Sequence, residues 1–363
     1  MSTKNEYYSN IAFHPGETLK EKLEELNMGP KEFAIRTGKP EKTIIAILKG
    51  ESSLTPEMAI LFENVLKIPA RFWIKKQYIF DEFKAREKRA ETLELAKNWA
   101  KSFPIKDMVQ KRWIVASMKT EELVAELFSF FGVSSPLAWE NYFYNKQLKV
   151  AFRISLAHTK DPFSISAWIR QGEIQSSKLI CGNFSESLFR SALLQIKSIM
   201  ATQPTDFFER LQSICLEAGV KVVYTPSINK APLSGATRWI DNNPIIQLSG
   251  RYKQNDRFWF TFFHEAGHIL LHGKKDIFLE DIEYSECDIL KEEEANKFAE
   301  KWTFSDEQEE EVLTFGPLSL ETIKIFASKF NTHPAMIIGR FQKKQLIPYS
   351  AGRDFFVKLE FTD

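Results

Sequence analysis

The chain has 363 residues, a formal net charge of +1 at pH 7, and 44% hydrophobic and 27% charged residues. One domain usually closes at roughly 100–200 residues, so we expect two or three domains. The apolar and charged fractions exclude a disordered chain. Because the net charge is near zero, any nucleic-acid binding must depend on a local surface and not on the field of the whole protein.

The cysteines and the first residues bear on the cellular compartment. Cys181, Cys215 and Cys287 lie far apart and form no Cys-x-x-Cys pair, which argues against a disulfide framework and against a thiolate zinc cage. The first ten residues are polar, and no uncharged apolar run is long enough to cross a membrane, which takes roughly 18 residues. We therefore expect a cytoplasmic protein that does not bind a membrane.

Short helical segments separated by Gly and Pro occupy residues 13–74. Within them, residues 28–50 fit a helix, a turn at Gly38 and a second helix, the arrangement that places a recognition helix in the major groove of DNA. Many small helical bundles share this pattern, so a helical oligomerisation domain is the alternative. The side chains that we predict to contact DNA are Lys39, Lys42, Thr43 and Lys49.

We predict four regions in chain order. Residues 1–77 form a helix-turn-helix DNA-binding domain of five helices, and residues 78–130 form a charged helical linker. Residues 131–219 are a mixed α/β region. In residues 220–363 a small β-sheet leads into a helix that carries an HExxH motif. The predicted fold class is α+β and mostly helical.

Periodicity and turn residues predict the elements of the later regions. Alternating apolar residues indicate strands, and capping residues followed by an apolar stripe indicate helix starts. The predicted elements are a strand at residues 149–155, helices that begin near Ser185 and Thr205, strands at residues 220–226, 235–239 and 244–250, and two helices within residues 319–346 separated before Pro334.

The HExxH motif lies in the segment RFWFTFFHEAGHILLHG. His264 and His268 are four residues apart, so on a helix both imidazoles can reach one Zn²⁺ ion. Glu265 follows His264 and is the candidate general base that takes a proton from the attacking water. A structural histidine pair is the alternative, but buried histidines and a buried glutamate need partners, and a metal would satisfy all three.

A catalytic zinc site needs a third protein ligand, and the segment LKEEEANKFAEKW offers three consecutive glutamates. Its apolar stripe places Glu292 on the inward edge of a helix, so we predict Glu292 as the third ligand. Asn296, one turn later, is predicted to form a hydrogen bond with a ligand. Glu293 and Glu294 are expected to face solvent.

His272 repeats the four-residue spacing beyond His268. Gly273 follows at once, so we expect His272 to cap the helix or line the cleft. Lys274 stands where a metzincin has its third histidine, which excludes that class. The stabiliser of the oxyanion stays open among Arg251, Tyr252 and Tyr224.

Residues 220–345 resemble the ImmA/IrrE family of metallopeptidases through LSGRYKQNDRFWFTFFHEAGHILLHGKKDIFLED and EEEANKFAEKW. The resemblance implies a zincin-like domain over residues 220–363 and a zinc metallo-endopeptidase of gluzincin type. It places the zinc ligands on His264, His268 and Glu292, and the catalytic glutamate on Glu265. The segment EKWTFS departs from the family pattern.

Residues 13–80 resemble the HigA-type antitoxins of the Xre helix-turn-helix family through HPGETLKEKLEELNM and LTPEMAILFENVLKIPARFW. This resemblance implies a homodimer that binds an operator in double-stranded DNA. It also implies a partner toxin of the HigB/RelE type.

The leading hypothesis is a DNA-binding transcription regulator whose zinc-dependent endopeptidase domain cleaves a protein, either itself or a partner repressor or antitoxin. The alternative is a non-catalytic HigA-like antitoxin and autorepressor whose metal domain is structural or senses a ligand. An intact Glu265 favours the first, because a structural zinc site usually has four protein ligands and needs no such glutamate. A third hypothesis is that residues 130–219 bind a signal molecule or peptide through Phe163, Trp168 and Arg170. Packing in a hydrophobic core explains these three side chains equally well.

Overall fold

The computed structural model describes residues 12–117, 119–143, 161–273, 278–279, 286–316 and 318–361. Contacts divide the chain into two compact units, Met1–Leu95 and Ala96–Asp363. The predicted linker, residues 78–130, is divided between these units after Leu95. Residues 96–130 belong to the second unit, because they contribute buried aromatic and apolar side chains to it. The predicted boundaries after residues 130 and 219 fall inside that unit.

The first unit contains, within residues 12–95, five helices around one apolar core. Proline stands in the first turn of three of them, where its missing N–H costs no hydrogen bond. The rings of Phe33, Phe62 and Trp73 are fully buried and meet edge to face, with centroids 4.8 and 5.8 Å apart. The helices are α1 Pro15–Glu25, α2 Pro30–Thr37, α3 Glu41–Leu48, α4 Pro56–Leu66 and α5 Ala70–Leu95.

Two glycines set the geometry of the helix-turn-helix. Gly38 ends α2 in the left-handed conformation with φ 64°, which glycine adopts without strain. A β-carbon at Gly16 would lie 1.9 Å from the carbonyl oxygen of Ile47. The start of α1 therefore packs directly on the end of α3, and Ile44 and Ile47 of α3 are fully buried.

Helices form the first part of the second unit. Aromatic rings pack around Phe103, whose centroid lies 4.8–5.4 Å from those of Trp99, Phe131, Trp139 and Phe163. The strand predicted at residues 149–155 lies outside the described residues. The helices are α6 Lys97–Ala100, α7 Ile105–Gln110, α8 Thr120–Phe131, α9 Pro136–Trp139, α10 Pro162–Ser177, α11 Glu186–Thr202 and α12 Phe207–Glu217.

A four-stranded sheet follows in the order β1-β3-β2-β4. β1 pairs with β3 in parallel, and β2 pairs antiparallel with β3 and β4. The three predicted strands are present, and the short β4 is an addition that its sequence did not indicate. The strands are β1 Lys221–Tyr224, β2 Gly235–Ile240, β3 Asn243–Leu248 and β4 Phe278–Leu279.

A buried ion pair joins α10 to the sheet. Arg238 of β2 is 2% exposed, and its Nη1 lies 2.8 Å from a carboxylate oxygen of Glu173 on α10. Nη2 of the same guanidinium donates to the carbonyl oxygen of Ile169. Burial of a charge is costly without such partners, so the pair fixes α10 against β2.

In the described part of the second unit, five helices follow β3, and the first of them is buried on almost every side. Trp259, Phe262 and Phe263 of that helix are fully buried. The predicted break before Pro334 is present, with Pro334 as the first residue of the last helix. Within the described residues, no helix combines the length and the apolar character needed to cross a membrane. The helices are α13 Asn255–His272, α14 Glu286–Thr303, α15 Asp306–Phe315, α16 Leu320–Lys329 and α17 Pro334–Lys343.

Candidate functional site

The HExxH motif occupies the middle of α13. His264, Glu265 and His268 are 2%, 0% and 1% exposed. The helix begins at the buried Asn255, whose Nδ2 lies 3.1 Å from Nδ1 of His333 and whose Oδ1 accepts from the N–H of Val357. These long-range contacts fix the start of α13, and the motif lies on a rigid, buried element.

Gly267 inside the motif explains how α14 comes close. A β-carbon at this position would lie 3.3 Å from Cα of Ala295 and 3.2 Å from Cβ of Phe298. Both of those residues belong to the apolar stripe of α14. The absence of a side chain at Gly267 thus lets the two helices pack tightly enough to bring the glutamates of α14 to the histidines.

The structure brings together His264, His268 and Glu292, the three residues that the sequence proposed as zinc ligands. Nε2 of His264 lies 3.2 Å from Oε2 of Glu292, and Nε2 of His268 lies 3.4 Å from Oε1. The two Nε2 atoms are 2.9 Å apart, and one ligand atom from each of the three residues lies within 4.8 Å of the others. Two imidazoles and one carboxylate are the donor set of a catalytic zinc site, so these residues fit the metal.

The environment favours the protonation states that a metal requires. Burial lowers the pKa of His268 to about 4, and the neighbouring histidines act in the same direction. Burial alone would raise the pKa of Glu292, but hydrogen bonds from His264 and His268 outweigh it and lower the pKa to about 2. A neutral imidazole and an ionised carboxylate at neutral pH are the forms that bind a cation.

Each histidine has a partner on its other ring nitrogen. Nδ1 of His264 lies 3.0 Å from Oδ1 of Asn296, the residue that the sequence proposed as a hydrogen-bond partner of a ligand. Nδ1 of His268 lies 3.0 Å from Nδ1 of His272, and Nε2 of His272 lies 2.9 Å from a carboxylate oxygen of Glu294. The sequence placed His272 as a cap or cleft residue and Glu294 in solvent, so it missed this chain of contacts.

Glu265 lies between α13 and the sheet. A β-carbon at Gly235, the first residue of β2, would lie 2.5 Å from Oε1 of Glu265. The hydroxyl of Thr237 donates to the backbone carbonyl oxygen of Glu265 at 3.1 Å. The position of the carboxylate therefore depends on a glycine in a strand that is distant in sequence.

A cleft of about 320 Å³ includes His264 and Glu292 in its wall. Of the three residues considered for the oxyanion, Tyr252 lines this cleft. Arg251 instead donates from Nη1 to the carbonyl oxygen of Pro232. Tyr224 stacks on Phe361, with ring centroids 3.8 Å apart. The lining residues are Ser234, Tyr252, Asp256, Arg257, Phe260, Thr261, His264, Glu292, Asn296, Glu300, Thr303, Phe304, Met336, Gly339, Arg340 and Lys343.

The four predicted DNA-contact residues lie in or next to α3. Lys42 and Lys49 are exposed and Thr43 is half-buried. Lys39 forms an ion pair with Glu57 of α4, with the nitrogen 2.7 Å from a carboxylate oxygen. Lys39 is therefore partly neutralised by its own domain, while Lys42 and Lys49 extend from the surface of α3.

Two known groups of proteins are similar to two different parts of the chain. The family model of the IrrE N-terminal-like domain, Peptidase M78, matches residues 215–317. The N-terminal domain is similar to YddM of Escherichia coli K12, an uncharacterized HTH-type transcriptional regulator. That similarity is 36% identity over 63 residues, which are 17% of this chain and 67% of YddM.

Two solved structures are also similar to part of the chain. One is a protein of Nostoc punctiforme described as an antidote of a plasmid maintenance system, 28% identical, covering 23% of this chain and 93% of that protein with a TM-score of 0.23. The other is an addiction module antidote protein of the HigA family from Coxiella burnetii, 30% identical, covering 23% of this chain and 90% of that protein with a TM-score of 0.22.

The relative and the family model describe different parts of one architecture, a helix-turn-helix domain followed by a metallopeptidase-like domain with an HExxH helix. The chain therefore belongs to the HTH-type transcriptional regulators through its N-terminal domain, and it carries an IrrE N-terminal-like domain of the Peptidase M78 family at residues 215–317.

Proposed function

We propose that the chain is a DNA-binding transcription regulator and a zinc-dependent endopeptidase that cleaves a protein substrate, either itself or a partner repressor or antitoxin. The observation that carries the proposal is the convergence of His264, His268 and Glu292 beside the buried Glu265. Three protein ligands leave a coordination position for a reactant, which distinguishes a catalytic zinc site from a structural one.

The chain's own residues have distinct roles in this proposal. Zinc, when bound, makes water a better nucleophile and polarises the carbonyl group of the substrate. His264, His268 and Glu292 would hold it. Glu265 takes the proton of the attacking water and gives it to the leaving amine, and its buried carboxylate retains that proton between the two steps.

Tyr252 is our candidate for stabilising the oxyanion. Its ring lines the cleft that contains His264 and Glu292, and its side chain is 47% exposed, so the hydroxyl group is accessible to a substrate. A phenol donates a hydrogen bond to a developing negative charge. Arg251 and Tyr224 are not among the residues that line this cleft and are weaker candidates.

The DNA-binding part of the proposal rests on α2, Gly38 and α3. The buried side of α3 contacts the core through Ile44 and Ile47, which leaves Lys42, Thr43 and Lys49 for phosphates and base edges. We propose that the domain binds an operator in double-stranded DNA as a homodimer in the cytoplasm. A HigB/RelE-type toxin as a further partner is proposed on the sequence resemblance.

The metal content of the purified full chain tests the first step. About one zinc per chain in the wild type, measured by elemental analysis, should be lost in Glu292→Ala. Glu293→Ala removes a neighbouring exposed glutamate and serves as the matched control, which should keep its zinc. Zinc that persists in Glu292→Ala would contradict the ligand set.

Cleavage is tested separately with Glu265→Gln. We expect this variant to retain zinc and DNA binding and to lose the ability to cleave the full chain or a peptide library. Mass spectrometry of the reaction products measures this cleavage. A wild type that binds zinc and yet gives the same peptide fragments as Glu265→Gln would contradict the proposed cleavage. In that case the non-catalytic alternative replaces this proposal.

A further inference from the structure

The second unit has a further groove, with a volume of about 640 Å³. None of the residues that line it also lines the cleft that contains His264 and Glu292. Among the described residues, its wall contains four basic side chains and one acidic side chain. We call it the basic groove, and its charged residues are Lys111, Arg112, Lys253, Lys358 and Glu360.

The charge of the basic groove differs from that of the whole protein. The chain has 49 Lys and Arg against 48 Asp and Glu, whereas basic side chains outnumber the acidic one by four to one in this wall. Within the described parts of the chain, no carboxylate forms an ion pair with any of the four. Arg238 and Arg340 of the same unit do have carboxylate partners. A cavity lined by one sign of charge concentrates ions of the opposite sign, so the basic groove attracts an anion.

Two tight turns hold basic residues in the wall of the groove. Arg112 follows α7 with φ 58°, and the N–H of Trp113 closes this turn on the carbonyl oxygen of Met108 at 2.9 Å. Lys253 has φ 49° and closes a second turn through its N–H to the carbonyl oxygen of Gly250. Both positions lie in the left-handed region that favours glycine. A basic residue stands there in each case, on a backbone that these hydrogen bonds fix.

The C-terminal segment supplies a further basic side chain and part of an aromatic wall. The N–H of Leu359 donates to the carbonyl oxygen of Lys253 at 3.0 Å, so the backbone of Lys358 lies beside the second turn. Phe361 of the same segment stacks on Tyr224 at the end of β1, with ring centroids 3.8 Å apart. Both of these residues line the basic groove. The groove therefore combines cations with aromatic rings.

Cations and aromatic rings in one cavity match the two parts of a nucleotide. Phosphate oxygens accept charge-assisted hydrogen bonds from arginine and lysine, and a nucleobase packs favourably on aromatic side chains. The volume of the groove falls within the range of small-molecule sites, roughly 300–1,000 Å³. The four basic residues come from three chain segments that line one cavity, which favours a compact ligand over a long polymer.

We propose that the basic groove binds a nucleotide, with its phosphates at the four basic side chains and its base against Tyr224 and Phe361. This inference does not rest on the proposed function, because no proposed zinc ligand takes part in it. Lys253 follows Tyr252, which lines the cleft of the candidate metal site. A nucleotide in the basic groove therefore contacts the same turn that carries our candidate for stabilising the oxyanion.

Calorimetric titration of the purified full chain with ADP tests the proposal. Lys253→Gln removes one positive charge and keeps an unbranched side chain at the left-handed position, so the backbone cost is similar in both proteins. We expect roughly 10-fold weaker binding of ADP, at the low end of the effect of losing a hydrogen bond to a charged group. Arg112→Gln should have an effect of similar size. Lys178→Gln, the same change at an exposed lysine outside the groove, is the matched control and should leave the affinity unchanged.

Two further ligands separate the contribution of the phosphates from that of the base. Inorganic pyrophosphate has the two phosphate groups of ADP without the nucleoside, and adenosine has the nucleoside without the phosphates. We expect each to bind more weakly than ADP by roughly 10-fold or more, because each lacks contacts that the other makes. Denaturant unfolding of every variant is measured in parallel, so that a folding defect is recognised as such.

Four results would overturn the inference. The first is a wild type that does not bind ADP, and the second is equal affinity for ADP in Lys253→Gln and Lys178→Gln. The third is pyrophosphate that binds as tightly as ADP, which would remove the base from the site. The fourth is a single-stranded oligonucleotide that binds far more tightly than ADP and loses affinity in Lys253→Gln, which would assign the groove to nucleic acid. A wild type that binds no zinc would remove the proposed function and leave all four readouts in place.

Discussion

The first residue of β2, Gly235, lies against the carboxylate of Glu265, where an added β-carbon would be 2.5 Å from Oε1. The same β-carbon would lie 2.7 Å from Cγ2 of Thr261. Both neighbours belong to α13, so a side chain at Gly235 must displace the candidate general base or separate the helix from the sheet.

The first prediction follows from this contact. Gly235→Ala should reduce peptide cleavage by roughly 100-fold, the order of a general-base contribution, while about one zinc per chain is retained, because the atoms nearest to the new methyl group belong to Glu265 and Thr261 and not to a proposed zinc ligand. Cleavage rate and metal content are the measurements. Gly182→Ala is the control, since an added β-carbon there meets nothing within 4 Å. Full cleavage by Gly235→Ala would show that the carboxylate of Glu265 is not confined by β2.

The buried ion pair predicts a large effect on stability. Glu173→Gln leaves the guanidinium of Arg238, which is 2% exposed, without its anionic partner, and this should lower the free energy of unfolding by about 3–5 kcal/mol. Denaturant unfolding of the full chain measures it. Glu186→Gln breaks the exposed pair with Arg190 and should cost less than about 1 kcal/mol. Equal effects of the two substitutions would contradict the account of α10 and β2.

The stability of the second unit should fall as the pH falls, in part through His333. Nδ1 of His333 caps α17 by accepting from the N–H of Ala335, and burial lowers its pKa below the ordinary 6.5. The unfolded chain binds this proton more readily, so the stabilising contribution is complete above pH about 6.5 and is lost as the pH falls toward the folded pKa.

His333→Asn tests this pH dependence. Asparagine accepts the same capping hydrogen bond and does not titrate, so the free energy of unfolding should change less between pH 7.5 and 5.5 than in the wild type. The cap of α16 offers a control, because Ser319→Asn exchanges two groups that do not titrate in this range. An unchanged slope in His333→Asn would assign the pH dependence to other groups.

The proposed DNA-binding surface predicts how the affinity for the operator depends on salt concentration. Removal of Lys42 by substitution with Ala should weaken operator binding and reduce the slope of log affinity against log salt concentration by about 1, if this side chain contacts one phosphate. Lys20→Ala, an equal change of charge on the exposed side of α1, should leave the slope unchanged. A gel shift titrated over several salt concentrations distinguishes the two. Identical slopes would place the DNA surface elsewhere on the domain.

Much of the site was already determined by local sequence. The spacing of His264 and His268 places both on one face of any helix that they join, and the apolar stripe of α14 selects Glu292 over its neighbours. The three predicted strands and the break before Pro334 likewise follow from alternation and from turn residues. These features depend on residues within about two helical turns, which is the range over which periodicity carries information.

Only the tertiary structure decided how distant segments meet. The contact of Glu294 with His272, the contact of Gly235 with Glu265 and the place of Tyr252 in the cleft join residues from different elements. Hydrophobic periodicity predicts which face of a helix or strand is buried. It does not predict how far one helix is displaced along another, or which strand packs against a given helix. A shift of one helical turn between α13 and α14, roughly 5.4 Å, would give His272 a different partner in place of Glu294 while leaving each helix unchanged.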